Sequence, residues 1–193
     1  MIKLPCNYKA LIFDLDGTLA NTMPVHYKAC QIVCNKYGFN FPEDFFYDQA
    51  GKPTLEVFKL LIKKLDKNLD ATALGTEKEI VFLSLIHEVE PLSLITDVAV
   101  LNKGKVPMAI GSGSQRKSVD LTLEAIGMSN YFDVVVSCDD VNKFKPHPET
   151  FLKAAAQMNV SPKDCIVFED GDLGIEAAKK AGMVVIDIRQ FYK

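Results

Sequence analysis

Residues 10–19 read ALIFDLDGTL, and the rest of the chain is understood from them. Ala10, Leu11, Ile12 and Phe13 form a short apolar run without alternation, which suits a strand buried on both faces of a parallel sheet. Asp14 and Asp16 follow two apart, a spacing that puts both carboxylates on the same side of an extended segment. Gly17 supplies the tight turn. Open parallel sheets bind ligands beyond the carboxyl ends of their strands, so an acid pair at such an end is a candidate site.

Outward from that strand the chain has two grammars. Residues 23–37, 42–49, 53–65 and 77–88 are helix-period segments with Pro or Gly punctuation and no credible strand among them. From residue 108 the pattern becomes strand, turn, helix: MAIG (108–111), a helix over 115–126, VVV (134–136), a helix over 148–158, CIVF (165–168), a short helix ending near Lys180, and VVIDI (184–188). Apolar runs joined by ten-residue helices imply parallel strands with right-handed crossovers. The predicted fold is α/β: a Rossmann-like parallel sheet core made of residues 1–18 and 90–193, with an inserted α-helical cap of four helices over 19–89.

Composition sets the remaining bounds. The chain has 193 residues, 48% hydrophobic and 24% charged, with 22 basic against 25 acidic side chains. At this length folding buries roughly 70% of the unfolded surface, enough for one core and a small appendage. A formal net charge of −3 with no basic run excludes nucleic acid as a partner class. No stretch approaches the ~18 apolar residues of a membrane span, and the four-residue apolar run near the start is too short for a signal peptide. A cytoplasmic, monomeric protein is expected. Five cysteines, Cys6, Cys30, Cys34, Cys138 and Cys165, without CxxC or zinc-like spacing, read as free thiols. Cys30 and Cys34, four apart on one helix, read as two small apolar residues on a buried face rather than a metal or redox pair.

The residues after each apolar run are one-sided in charge. ALIF ends in Asp14 and Asp16, MAI in Gly111-Ser112-Gly113-Ser114, VVV in Ser137-Cys138-Asp139-Asp140, and CIVF in Glu169-Asp170-Gly171-Asp172. Several carboxylates within a few ångström repel and take up protons unless a cation shares the site. Oxygen ligands select a hard ion, and Mg²⁺ is the usual one beside a phosphate. One acid of the 14/16 pair can attack phosphorus while the other serves as general acid and then base. Ser112 offers a hydroxyl, and Gly111 and Gly113 allow backbone N–H groups close to a phosphoryl oxygen. Lys145, in the Pro-flanked stretch FKPHP (144–148), provides an ammonium that offsets the acids.

Taken together, DLDGTL (14–19), Ser112, the lysine of KPHPETF (145–151) and FEDGDLGIEAA (168–178) resemble, in order, the four motifs of the haloacid dehalogenase superfamily of phosphohydrolases. The resemblance covers nearly the whole chain. It implies a phosphoric monoester hydrolase in which Asp14 forms an aspartyl-phosphate and Asp16 is the acid/base. It also implies that Asp14, the backbone carbonyl of Asp16, Asp170 and Glu169, directly or through water, hold Mg²⁺, and that the helical insert closes over the substrate. VEPLSLITDV, PMAIGSGS and FEDGDLGIEAAKKAGM are similar to the β-phosphoglucomutase-like branch and, nearer still, to bacterial fructose-1-phosphate phosphatases.

Charge separates the two activities of that branch. A mutase holds a bisphosphate and needs a cap cation for the far phosphate, commonly Arg for its bidentate fork. Only Arg116 and Arg189 occur in this chain, both outside the cap, and Thr54 stands about where the mutase carries its arginine. The expected substrate is therefore a small phosphorylated sugar of the fructose 1-phosphate or 6-phosphogluconate type, hydrolysed rather than isomerised. Ser112, Gly113, Lys145, His26 and Lys78 are the candidate substrate-binding residues. His26 matches a cap-hinge histidine and Lys78 a cap lysine of the family, each against the plainer readings of an amphipathic-helix histidine and a solvated lysine. Lys52, Lys117 and Lys143 are weaker candidates for an anion-binding rim. His87 and His147 read as structural. Gly171 replaces the serine usual in the fourth motif, and Asp172 is read either as its compensation or as a helix N-cap. A signalling receiver domain shares the acids, hydroxyl and lysine, but places its acceptor on a middle strand and has no cap.

Overall fold

The structure is a computed structural model, and it describes residues 2–5 and 7–192; Cys6 lies outside the described residues. Strands β1 (Ala10–Phe13), β2 (Met108–Gly111), β3 (Val134–Val136), β4 (Cys165–Glu169) and β5 (Val184–Asp187) form one sheet in the order β3-β2-β1-β4-β5. All four pairings are parallel. β1 is therefore central, with Phe13 opposite Ile110 on one side and Phe168 on the other. One residue further along, that register sets Asp14 level with Gly111 and Glu169.

Both faces of the sheet are covered, which is why its strands read as continuous apolar runs. Leu11, Phe13, Ile110 and Phe168 join one buried cluster with residues of α5 (Ser93–Asn102) and α6 (Arg116–Ala125). Ala10, Ile12, Ala109 and Val167 join the other, with residues of α7 (Glu149–Gln157) and α8 (Asp172–Lys180). Phe13 and Phe168 stack at 4.8 Å between ring centres, closing the first cluster just beneath the acid-bearing rim.

Between β1 and β2 run α1 (Met23–Lys36), α2 (Glu43–Asp48), α3 (Thr54–Lys64) and α4 (Ala71–Ser84). They share an aromatic-rich cluster that includes Cys30, Cys34, Phe41, Phe46, Phe58 and Leu61. The insert is not sealed off, however. Val25 and Ala29 of α1 and Phe82 of α4 belong to the sheet's own cluster, so these two helices straddle insert and core.

Two elements differ from the sequence reading. α4 starts at Ala71, six residues before the expected start, because Asp70 caps it by accepting the Thr72 N–H at 2.8 Å. Gly75 disguises this first half as a breaker, yet its missing side chain lets α3 approach, with Leu55 Cα 3.8 Å from where a Cβ would lie. The second is α5, whose apolar residues fall all round and so lack a helical stripe; Ile95, Thr96, Val98 and Ala99 are buried. Among the described residues, no helix is long and apolar enough to cross a membrane.

Candidate active site

The rim is built from the ends of neighbouring strands. Asp14 follows β1, Ser112 and Gly113 follow β2, Glu169 closes β4 and Asp170 follows it. Lys145 arrives from the loop before α7, with a cis peptide to Pro146. Its ammonium donates to Asp14 Oδ1 at 2.7 Å and to Glu169 Oε1 at 2.6 Å, all three side chains being buried. Glu169 Oε2 accepts the Gly171 N–H at 2.7 Å, so both of its oxygens are engaged. Space for this carboxylate comes from Gly174 in α8, where a Cβ would collide with Glu169 Oε1. Gly17, with φ of 84°, likewise leaves room for the Asp170 carboxylate, which accepts from Thr18 Oγ1 at 3.0 Å.

Negative charge outweighs positive here. Burial pushes the Asp14 carboxyl well above the usual carboxylate range; Lys145 opposes the rise, while Glu169, Asp170 and Asp16 add to it. Asp170 is pushed up to about 7 by burial and then by Glu169, against the Thr18 hydrogen bond and Lys145. Lys145 stays firmly protonated, since its two carboxylate partners outweigh its burial. One ammonium is too little for three acids in a dry site.

A divalent cation fits that imbalance. Asp14, Glu169 and Asp170 each offer a carboxylate oxygen, and these atoms lie within 4.8 Å of one another. An all-oxygen set of this size suits a hard ion such as Mg²⁺, which keeps several waters. Glu169 is already held on both oxygens, by Lys145 and the Gly171 N–H.

Asp16 sits apart from Lys145, in a second network that reaches into the inserted helices. It accepts from Ser114 Oγ at 2.6 Å, Thr22 Oγ1 at 2.8 Å and Ser112 Oγ at 3.3 Å, with His26 Nε2 at 3.2 Å. Burial works to raise its pKa, but the His26 contact and the hydroxyl donors prevail and hold it well below the ordinary value. On the far side of the imidazole, His26 Nδ1 lies 2.7 Å from Lys78 Nζ. Lys78 also donates to Glu79 Oε1 at 3.0 Å and Thr54 Oγ1 at 3.3 Å, and Glu79 Oε2 accepts from Ser118 Oγ of α6 at 2.9 Å. A continuous polar chain thus links helices α3 and α4 to Asp16 and, separately, to the core. Burial and the Lys78 charge lower the His26 pKa.

The structure places Asp14, Asp16, Gly113, Glu169, Asp170, His26, Lys78 and Lys52 around one pocket, with Ser112 and Lys145 buried against Asp16 and Asp14. An opening of about 680 Å³ is bounded by Asp14, Asp16, Glu169, Asp170 and Gly113 on the sheet side, and by His26, Lys78, Thr54, Phe58 and Lys52 on the helical side. Lys78 is buried, not a solvated lysine. Lys117 and Lys143 are exposed and stand outside the pocket lining. Several local readings change. Gly111 makes room for the Phe151 ring, 3.0 Å from where its Cβ would lie, rather than for a phosphate. Asp172 neither caps α8 nor replaces the missing serine; it is exposed and pairs with Arg189 at 2.9 Å. Cys30 and Cys34 are free and buried, their thiols pushed up to about 11 and about 12 by burial. Ser114, Thr22, Glu79 and Gly174 were not read as site residues, although Gly174 lies inside FEDGDLGIEAA and Ser114 inside PMAIGSGS.

A parallel α/β core with acids at its carboxyl rim and a helical insert across them is the architecture of a capped hydrolase. The pattern that defines the haloacid dehalogenase-like hydrolases matches residues 11–188, and the chain belongs to that family. The fructose-1-phosphate phosphatase YqaB of Escherichia coli (strain K12) is 42% identical over 183 residues, 94% of this chain and 97% of that protein. A phosphorylated carbohydrates phosphatase of Thermotoga maritima is 33% identical over 179 residues, 91% of this chain and 82% of its own. Among solved structures, β-phosphoglucomutase from Clostridium difficile superposes with a TM-score of 0.86 at 27% identity, covering 96% of this chain and 93% of that one.

Proposed function

We propose that this phosphoric monoester hydrolase acts on a small sugar phosphate, of the fructose 1-phosphate or 6-phosphogluconate type, through a phosphorylated Asp14. The observation that carries the reading is the Asp14 carboxylate beside a buried ammonium, with Lys145 Nζ at 2.7 Å and two further acids within 4.8 Å. Asp14, Asp170 and the Asp16 backbone carbonyl, with Glu169 behind them, would hold Mg²⁺, whose charge, when bound, keeps the acids ionised and draws the phosphoryl oxygens inward.

The other steps belong to this chain's own residues. An Asp14 oxygen attacks phosphorus as the ester P–O bond breaks, and the leaving sugar oxygen takes a proton from Asp16, which is ionised in this geometry and has to enter this step protonated. Asp16 then removes a proton from water attacking the phospho-aspartate, which restores Asp14 and releases inorganic phosphate. Lys145 steadies Asp14 and the transferred oxygens, while Ser112 and the Gly113 backbone receive the phosphoryl group. His26 and Lys78 act chiefly through Asp16, since the imidazole bridges the two. Residues 19–89 serve as the cap.

Hydrolysis is preferred to isomerisation because neither arginine faces the pocket. Arg116 pairs with Asp120, and Arg189 with Asp172 and Asp187. The test is phosphate release from a panel of hexose phosphates, 6-phosphogluconate and phosphoglycolate with Mg²⁺. At least one sugar phosphate should turn over without any hexose bisphosphate activator, and EDTA should stop it. Asp14→Asn should lose activity by at least about 10⁴-fold; full activity in that variant would remove Asp14 from the mechanism.

A further inference from the structure

Three cations stand at or beside the pocket, and two are matched. Lys145 has Asp14 and Glu169; Lys78 has Glu79. Lys52 differs. It lies in the turn between α2 and α3, lines the helical side of the pocket and is partly buried, yet its ammonium donates only to the neutral amide oxygen of Gln49, at 2.6 Å. Among the described residues it has no ion-pair partner. A half-desolvated ammonium bonded to an amide is under-compensated, and its strongest available partner is an anionic oxygen.

The surroundings say where that oxygen would come from. The transferred phosphate meets Asp14, Lys145, Ser112 and the Gly113 backbone on the sheet side, whereas Lys52 is carried by the turn between α2 and α3, which bounds the pocket from the helical side and meets the sheet side through Gly51 and Gly113. The helical side is otherwise apolar or self-satisfied: Met23, Cys30, Val57 and Phe58 offer carbon and a buried thiol, and Thr54 is held by Glu79 at 2.5 Å. A single lysine with one amide beside it matches a monoanionic carboxylate better than a second phosphate, which calls for several donors or a guanidinium fork.

Resting on the phosphatase reading above, we infer that Lys52 is a specificity-determining residue that binds a carboxylate at the end of the substrate remote from the phosphate, so that the enzyme prefers phosphorylated sugar acids over their neutral counterparts. A lysine–carboxylate contact in a partly dry pocket supports a preference of roughly 10- to 100-fold in kcat/KM.

The experiment uses a matched pair, 6-phosphogluconate and glucitol 6-phosphate, which differ only in a carboxylate against a CH₂OH at the far carbon. Glucose 1,6-bisphosphate is a third arm, and phosphate release with Mg²⁺ is the readout. The wild-type enzyme should favour the acid by at least about tenfold, mostly through KM. In Lys52→Met that ratio should fall at least about tenfold, whereas Lys52→Arg should retain most of it. Equal losses for both members of the pair in Lys52→Met would overturn the inference, giving Lys52 a structural or phosphoryl-binding role. So would a wild-type enzyme indifferent to the carboxylate, or one that prefers the bisphosphate; in the first of these the phosphatase reading survives. Failure of the wild type to release phosphate from any arm or from the hexose monophosphates above would instead bring down that underlying reading.

Discussion

At the sheet's rim, Asp14, Lys145 and Glu169 form one compact unit whose members come from strand ends in parallel register and a loop beside them. Across the pocket, His26, Lys78, Glu79 and Thr54 form another, assembled from three helices that meet only through packing. The rim has excess negative charge and fits a cation. The charged groups of the helical wall are paired among themselves and with Asp16 and Ser118, apart from Lys52. The rim groups thus sit where backbone hydrogen bonds set their spacing, and the groups of the helical wall sit where side-chain packing sets it. Lining residues of the helical wall that do not touch the rim can change without disturbing it, whereas His26 is tied to Asp16.

The largest test of this contrast beyond Asp14 is Gly174→Ala. Helix propensity alone favours Ala by roughly 0.5–1 kcal/mol, but the new methyl would occupy the place of Glu169 Oε1. The carboxylate is buried and held on both oxygens, so displacing it also breaks its pair with Lys145, and thermal stability should fall by several degrees. Activity should fall roughly 10- to 100-fold, because Lys145 loses one of its two anchors and a small misplacement at a reacting centre is expensive. Activity preserved at wild-type level would mean that Glu169 is not needed to aim Lys145.

Gly113→Ala probes the contact between the two regions. Gly113 has no positive φ that would demand glycine, yet a Cβ there would strike the Gly51 carbonyl from the turn between α2 and α3. The helical side should therefore seat less closely, with kcat/KM for sugar phosphates down by roughly tenfold and little change in thermal unfolding. A crystal structure of this variant with the Gly51–Gly113 approach unchanged would refute the explanation.

The smallest effect belongs to Ser118→Ala, which removes one hydroxyl from the Glu79 carboxylate. Loss of a hydrogen bond to a buried charged group costs about 1–2 kcal/mol, so a modest drop in denaturation midpoint is expected. kcat should change by less than about threefold, since the link from Lys78 through His26 to Asp16 remains. A larger kcat loss would show that the Glu79 anchor to α6 is coupled to chemistry.

Much of the fold was legible because the physics was local. Buried parallel strands must be apolar on both faces, so ALIF, MAIG and CIVFE stood out, and glycine marked their ends. α5 was hidden for the complementary reason, being apolar all round, and the first half of α4 was masked by Gly75. Asp14, Asp16 and Asp170 could be picked out as residue types at strand ends, and Lys145 from its Pro-flanked stretch. Glu79, Ser114 and Gly174 could not, because each matters through a partner distant in sequence: Ser118, Asp16 and Glu169.

The sequence by itself determined a parallel α/β core, a helical insert after its first strand and a run of acids able to hold a cation, since periodicity and charge act over a few residues. Tertiary structure alone decided which acids pair with Lys145, that Lys78 is buried against His26, and that Lys52 lines the pocket bonded, among the described residues, to Gln49. Those facts depend on where a helix lands after the chain has closed, and a distance across the fold is not written in any short stretch of it.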